Sequence, residues 1–90
     1  MKSARSLSKI VDEAVEALQE VALWPDRKDR NDNCANAIAD LRAAIRGYDK
    51  AVICALVIKV ASDFYFDARI GGRENLPGFK KAWAMIADIV

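Results

Sequence analysis

Apolar residues recur along this chain at three- and four-residue intervals, interrupted by short polar or glycine-bearing segments. Leu7, Ile10, Val11, Ala14, Leu18 and Val21 form one stripe of a helix running from about Ala4 to Leu23. Pro25 ends it, and "PDRKDRND" carries charge without an apolar anchor, as a surface loop does. A second helix is expected to start among Asn31 to Asn33, residue types that cap helices well. Its stripe is the cleanest in the chain: Cys34, Ile38, Leu41, Ile45 and Tyr48, at steps of 4, 3, 4 and 3 residues.

Gly47 poses a choice. It can stop the helix, with Asp49 capping the next one. Yet the stripe continues in register through Val52, so one helix from about 32 to 70 also satisfies the pattern. A glycine costs a helix interior only about 1 kcal/mol, which packing can override. The break is the preferred reading. A third segment, Lys50 to Ile70, ends at Gly71-Gly72. Its run "AVICALVIKV" is rich in β-branched residues, but its length, its alanines and the lack of period-two alternation predict a helix. A fourth follows "RENLPGF", with Asn75 as cap and Pro77 in the first turn. Phe79, Ala82, Trp83, Ile86 and Ile89/Val90 make its stripe. The predicted fold class is all-α: a single domain over residues 1–90, built as a small bundle of three or four antiparallel helices.

On a helical wheel the stretch "AVICALVIKVASDFYF" divides into two apolar faces. The main one holds Ile53, Cys54, Val57, Val60, Ala61, Phe64 and Tyr65. A second holds Val52, Leu56, Phe66 and Ile70, with Lys59 and Asp63 in the same row. A membrane span needs about 18 apolar residues, and Lys59 interrupts well short of that. A helix apolar on two sides must be covered on two sides. It is either the centre of the bundle, or it turns one face to the core and one to a partner.

Composition narrows the function classes. The chain is 53% apolar and 30% charged, which is globular. A domain of this size buries only about 60% of its unfolded surface, so association with a second copy is an expected remedy. Net charge is +1, from 14 basic and 13 acidic residues, which argues against broad electrostatic capture of nucleic acid. The charge is uneven: Lys2, Arg5 and Lys9 precede Asp12, Glu13, Glu16 and Glu20, an order that opposes the helix dipole. Cys34 and Cys54 both lie in apolar helical patterns and are expected to be buried free thiols. The first residues carry no signal-peptide pattern, so a cytoplasmic location is expected.

No histidine is present, which removes the commonest general base, the commonest metal ligand and every Ser–His or Cys–His nucleophile. "IGGRENLPG" lacks both the P-loop lysine and the GxGxxG spacing. "DRKDRND" has three acids but interleaves them with Arg and Lys and has no EF-hand pattern. No cofactor or metal is expected.

One catalytic reading needs no histidine. "IADLRAAIRGYDKAVICALVIK", through Leu41-Arg42, Ile45, Asp49, Leu56 and Lys59, resembles the first helix of the small helical chorismate mutases and related pyruvate lyases. The resemblance implies that Arg42 and Lys59 would clamp a dicarboxylate through a pericyclic step. It covers about a quarter of the chain. In that family the helix opens the chain and two further helices with catalytic residues follow, whereas here a full helix precedes it; Lys59 also stands where arginine is usual.

Basic rows offer another alternative, a nucleic-acid-binding regulator with contacts from Arg27, Lys28, Arg30, Arg69, Arg73, Lys80 and Lys81. The last helix, "FKKAWAMIADIV", is too apolar beyond its first turn to suit a groove. The reading favoured by the residues is binding without catalysis: a small regulatory, inhibitory or adaptor protein that occupies a protein partner and is itself a homodimer. Its size and plainness fit the small stand-alone inhibitors that phages and mobile elements encode. Aromatics and arginine are what interface hot spots use, so Trp24, Phe66 and the Arg42/Arg46 row are the candidate contacts.

Overall fold

Helix α1 spans Leu7–Leu23, α2 Lys28–Ala44, α3 Lys50–Ile70 and α4 Pro77–Ile86, and a 3₁₀ turn over Ala87–Ile89 closes the chain. These elements belong to a computed structural model that describes residues 6–89. The predicted all-α bundle is therefore observed, with four helices among the described residues. Val90 of the fourth stripe and Lys2 and Arg5 of the basic start lie outside the described residues.

The α1 helix begins at Ser6, whose hydroxyl accepts the Lys9 backbone N–H at 3.2 Å, a cap that satisfies one free donor of the first turn. It is the hub of the fold. Val11, Ala14, Val15, Ala17, Leu18, Val21 and Ala22 are buried along it, an arc of roughly 160° at 100° per residue. Such a broad arc, wider than a single stripe, follows from packing against α2, α3 and α4 at once. Four of those seven residues are valine or leucine and three are alanine, so helices approach closely without a gap.

The loop predicted over "PDRKDRND" is shorter than its composition suggested. Helix α2 already starts at Lys28, three residues before the asparagine cluster, and no side chain caps it. Local pairs make up for the missing cap. Arg27 bonds Asp29 through two nitrogens at 3.2 Å, and Lys28 reaches Asp32 one turn on at 2.7 Å. The same charges that read as loop therefore stabilise a first helical turn. The carbonyl of Pro25 in the turn accepts hydrogen bonds from Asn31 of α2 and Lys81 of α4, both at 2.9 Å. Three elements are tied at one backbone atom.

Gly47 does break the chain. Its φ is +89°, a left-handed conformation that a residue with a Cβ adopts only under strain. Helix α2 ends at Ala44, and Asp49 precedes α3 as its N-cap residue but makes no side-chain capping bond. Cys34, Ile38, Leu41 and Ile45 of the α2 stripe are buried as predicted, while Tyr48 beyond them is exposed. The apparent continuity of the stripe through Val52 is thus a coincidence of phase.

Helix α4 runs back along α1: Gly78 lies against the Ala22 carbonyl, and Ala82 and Ile86 are buried farther on. At ten residues it is about 15 Å long, against about 31 Å for α3. Phe64 of α3 stacks on Phe79 of α4 at 5.2 Å between ring centroids, and Tyr65 and Trp83 pack edge-on beside them at 6.3 Å. The Cα trace measures 35 × 29 × 18 Å. An 18 Å thickness holds two layers of helices about 10 Å apart, so no helix can be enclosed on both sides. No helix among the described residues is long and apolar enough to cross a membrane.

Candidate partner-binding surface

The two apolar faces predicted for α3 meet different fates. Val60, Phe64 and Ala68 are buried, and Ile53, Leu56, Val57 and Ala61 pack partly against the same core. The rest is open. Phe66 is 63% exposed and Ile70 71%, and Val52 and Tyr65 are also exposed. Ile58, which lay on neither predicted stripe, is 64% exposed. Cys54, expected to be buried, is exposed as well, because its place on the main face is at the edge of the arc that α1 and α4 cover. Cys34 is buried as expected, and burial pushes its thiol up to about 11.

The candidate contacts do not form one site. Phe66 lines a groove of about 360 Å³ between α1 and α3, together with Asp12, Glu16, Asp63 and Asp67. Trp24 is 52% exposed at the C-cap of α1. Arg42 and Arg46 lie exposed at the far end of α2, about 25 Å away along that 17-residue helix. A single partner would have to lie along α2 to touch both.

The basic residues proposed for nucleic acid are largely engaged within the molecule. Arg27 holds Asp29, Lys28 holds Asp32, Arg30 approaches Glu20 at 3.5 Å, and Arg73 donates to the Asp67 carbonyl at 3.2 Å. The hydrogen bond to Asp32, and its charge, raise the pKa of Lys28. With Lys81 on Pro25, Arg69 and Lys80 remain exposed without such a partner. Sequence spacing could not show the Arg30–Glu20 and Lys81–Pro25 contacts, which join different elements.

Carboxylates, by contrast, gather. Asp12, Glu16 and Glu20 form an i, i+4, i+8 row on the outer side of α1, with Asp40 across one groove and Asp63 and Asp67 across the other. The acidic run flagged in the sequence is therefore the spine of an acidic face. Among the described residues no cluster of Cys, Asp and Glu has the geometry to hold a metal ion.

The stretch that resembles the mutase helix is two helices, divided at Gly47. Arg42 is exposed on α2, and the Lys59 amine is held by Asp63 at 3.1 Å. Neither side chain lines the grooves between α1 and α2, between α1 and α3, or beside Pro25. Comparison with protein-family models, with curated proteins and with solved structures finds no match for this chain.

Proposed function

We propose that this protein is a small regulatory, inhibitory or adaptor protein that acts by binding protein rather than by catalysis, with the outer side of α3 as its principal contact surface. One observation carries the reading: Val52, Ile58, Tyr65, Phe66 and Ile70 are all exposed on one helix. Isolated exposed apolar residues are normal on any protein, but Ile58, Tyr65 and Phe66, with Val52 and Ile70 on the flank, leave much of the outward half of α3 apolar. Phe66 belongs to this surface. Trp24 and the Arg42/Arg46 row lie outside it and are separate contact candidates.

Affinity capture from source cells, with wild type and Ile58→Glu in parallel, tests the proposal. The expected result is a stoichiometric protein that Ile58→Glu fails to retain while its circular dichroism stays unchanged. Capture of nothing, or capture insensitive to Ile58→Glu, refutes it. Steeply salt-dependent retention on DNA, unaffected by Ile58→Glu, would favour the nucleic-acid alternative instead.

A further inference from the structure

The outward side of α3 has a repeat of its own. Ala51, Ala55, Ile58, Ser62, Tyr65 and Arg69 are all exposed, and their steps are 4, 3, 4, 3 and 4 residues. That is the spacing of a coiled-coil seam, on the side of the helix away from its own core. Ala51, Ala55 and Ser62 are its small members, and Ile58, Tyr65 and Arg69 its large ones. From Ala51 to Phe66 the only charges are Lys59 and Asp63, which neutralise each other at 3.1 Å.

We infer that this face is a self-complementary interface, and that its occupant is α3 of a second copy of the chain, packed antiparallel about a two-fold axis near the middle of the helix. The inference rests on the reading of α3 as the contact surface and names its partner. In the antiparallel register the seam positions meet as Ala51 with Arg69, Ala55 with Tyr65 and Ile58 with Ser62, each pair being one residue from each copy. Every layer sets a small side chain against a large one, which fills space evenly. On the flank, Val52 of one copy meets Phe66 of the other. A parallel pairing would instead stack alanine on alanine at one end and Arg69 on Arg69 at the other, leaving unfilled space at the alanine end and like charges face to face at the other.

Charge and area agree with this occupant. Asp49 and Arg69 are both exposed, and neither has an ion-pair partner among the described residues. The antiparallel register brings Arg69 of each copy over the Asp49 end of the other, so an opposite-charge pair closes each end of the seam. With about 200 Å² for a large side chain, the exposed parts of Val52, Ile58, Tyr65 and Phe66 amount to roughly 400 Å². The small residues and the Arg69 stem bring each copy to about 500–600 Å², or roughly 1,100 Å² in total, just above the floor for a specific interface. An interface of that size lies at the weak end of the specific range, so the dimer is expected to be reversible, with a Kd in the micromolar range or weaker.

Sedimentation equilibrium from about 1 to 500 μM covers the micromolar range. Wild type should pass from monomer to dimer. Ile58→Glu should remain monomeric throughout, with an unfolding midpoint at low concentration equal to that of wild type. The register has its own test. Ala51→Lys faces Arg69 of the second copy and should weaken the dimer by tenfold or more, and Arg69→Glu added to the same chain should restore it. A wild-type monomer at the highest concentration overturns the inference, and so does a dimer that Ala51→Lys weakens but Arg69→Glu does not restore. If wild type is monomeric yet Ile58→Glu still loses a captured protein, the surface is right and the second copy is the wrong occupant. If Ile58→Glu changes neither, both readings fall.

Discussion

Gly78 offers a test of the packing that sets the fold, because two opposing effects act there and the structure decides between them. It is the second residue of α4, after Pro77, and is buried. Its φ is not positive, so alanine would suit the backbone and would add up to about 1 kcal/mol of helix propensity. A Cβ at this position, however, would point into α1. It would lie 2.8 Å from the carbonyl carbon of Ala22 and 2.9 Å from the carbonyl oxygen of Val21. These are backbone atoms of the last turn of α1, and no rotamer change moves them. Relief requires α4 to back away by about 1 Å, a gap that forfeits a quarter to a half of each dispersion contact along the seam. Ala82 and Ile86 are buried farther along α4, so the shift would loosen their packing as well.

Overpacking of this kind costs about 3 kcal/mol at the upper end of its usual range. Offset by the propensity gain, Gly78→Ala should destabilise the protein by about 2 kcal/mol, or lower Tm by roughly 8–16 °C for a domain of this size. Thermal and urea unfolding followed by circular dichroism measure the change. Gly71→Ala is the control, since a Cβ there meets only the movable guanidinium end of Arg73. That variant should differ little from wild type. A Gly78→Ala protein as stable as wild type, or more so, would refute the close approach of α4 to α1.

Four further outcomes follow from local chemistry. Gly47→Ala, at φ +89° with open space around it, should lose about 1–2 kcal/mol from backbone strain alone, read by the same unfolding curves. A thiol reagent at pH 8 should modify Cys54 quickly and Cys34 only on unfolding, since Cys34 is buried and its thiol is pushed up to about 11. Because burial holds Cys34 neutral, its contribution to stability should be intact below its usual pKa of 9.0 and fall away as pH rises toward 11. Glu16→Lys replaces the middle member of the Asp12, Glu16, Glu20 row and should raise stability by about 0.5–1 kcal/mol, an effect that added salt should shrink.

What could be read from the sequence was whatever repeats locally. Helix α3 falls at its predicted residues, Lys50 to Ile70, because Gly71 and Gly72 end it and a 21-residue apolar pattern admits few alternatives. The buried stripe of α2 was equally plain. Its start was not, because Arg27–Asp29 and Lys28–Asp32 are charged pairs that count as loop by composition and as helix by geometry. Which face of α3 meets the core was only half legible. The wheel gave a broad apolar arc, and the length of α4, which depends on where Leu76 and Pro77 start it, decided how much of that arc is covered. Cys54, placed on the main face and expected to be buried, is exposed for this reason, and Ile58 lay on neither predicted stripe. The engagement of Arg30 with Glu20 and of Lys81 with Pro25 was invisible, since residues distant in sequence meet only after α1 has gathered the other helices around it.

The buried and the exposed apolar residues of α3 are different residues, and that division makes the reading of this helix open to a clean separation. Phe64 is fully buried and stacked on Phe79 at 5.2 Å, so Phe64→Ala should cost about 3–5 kcal/mol through lost burial and the cavity left behind. In a domain whose total stability is about 5–10 kcal/mol, that leaves little native population on mild heating. Ile58 sits six residues earlier and about 120° around the helix, 64% exposed, and Ile58→Glu should change stability by no more than about 0.5 kcal/mol. A chain selected only to fold would place Lys or Glu at positions such as 58, since they favour the helix and keep the surface soluble. Isoleucine there is instead what the proposed contact surface would use. Unfolding curves of both variants at low concentration decide the matter. Large destabilisation by Ile58→Glu in the monomer would mean that this side of α3 is core, and the surface proposed for binding would not exist.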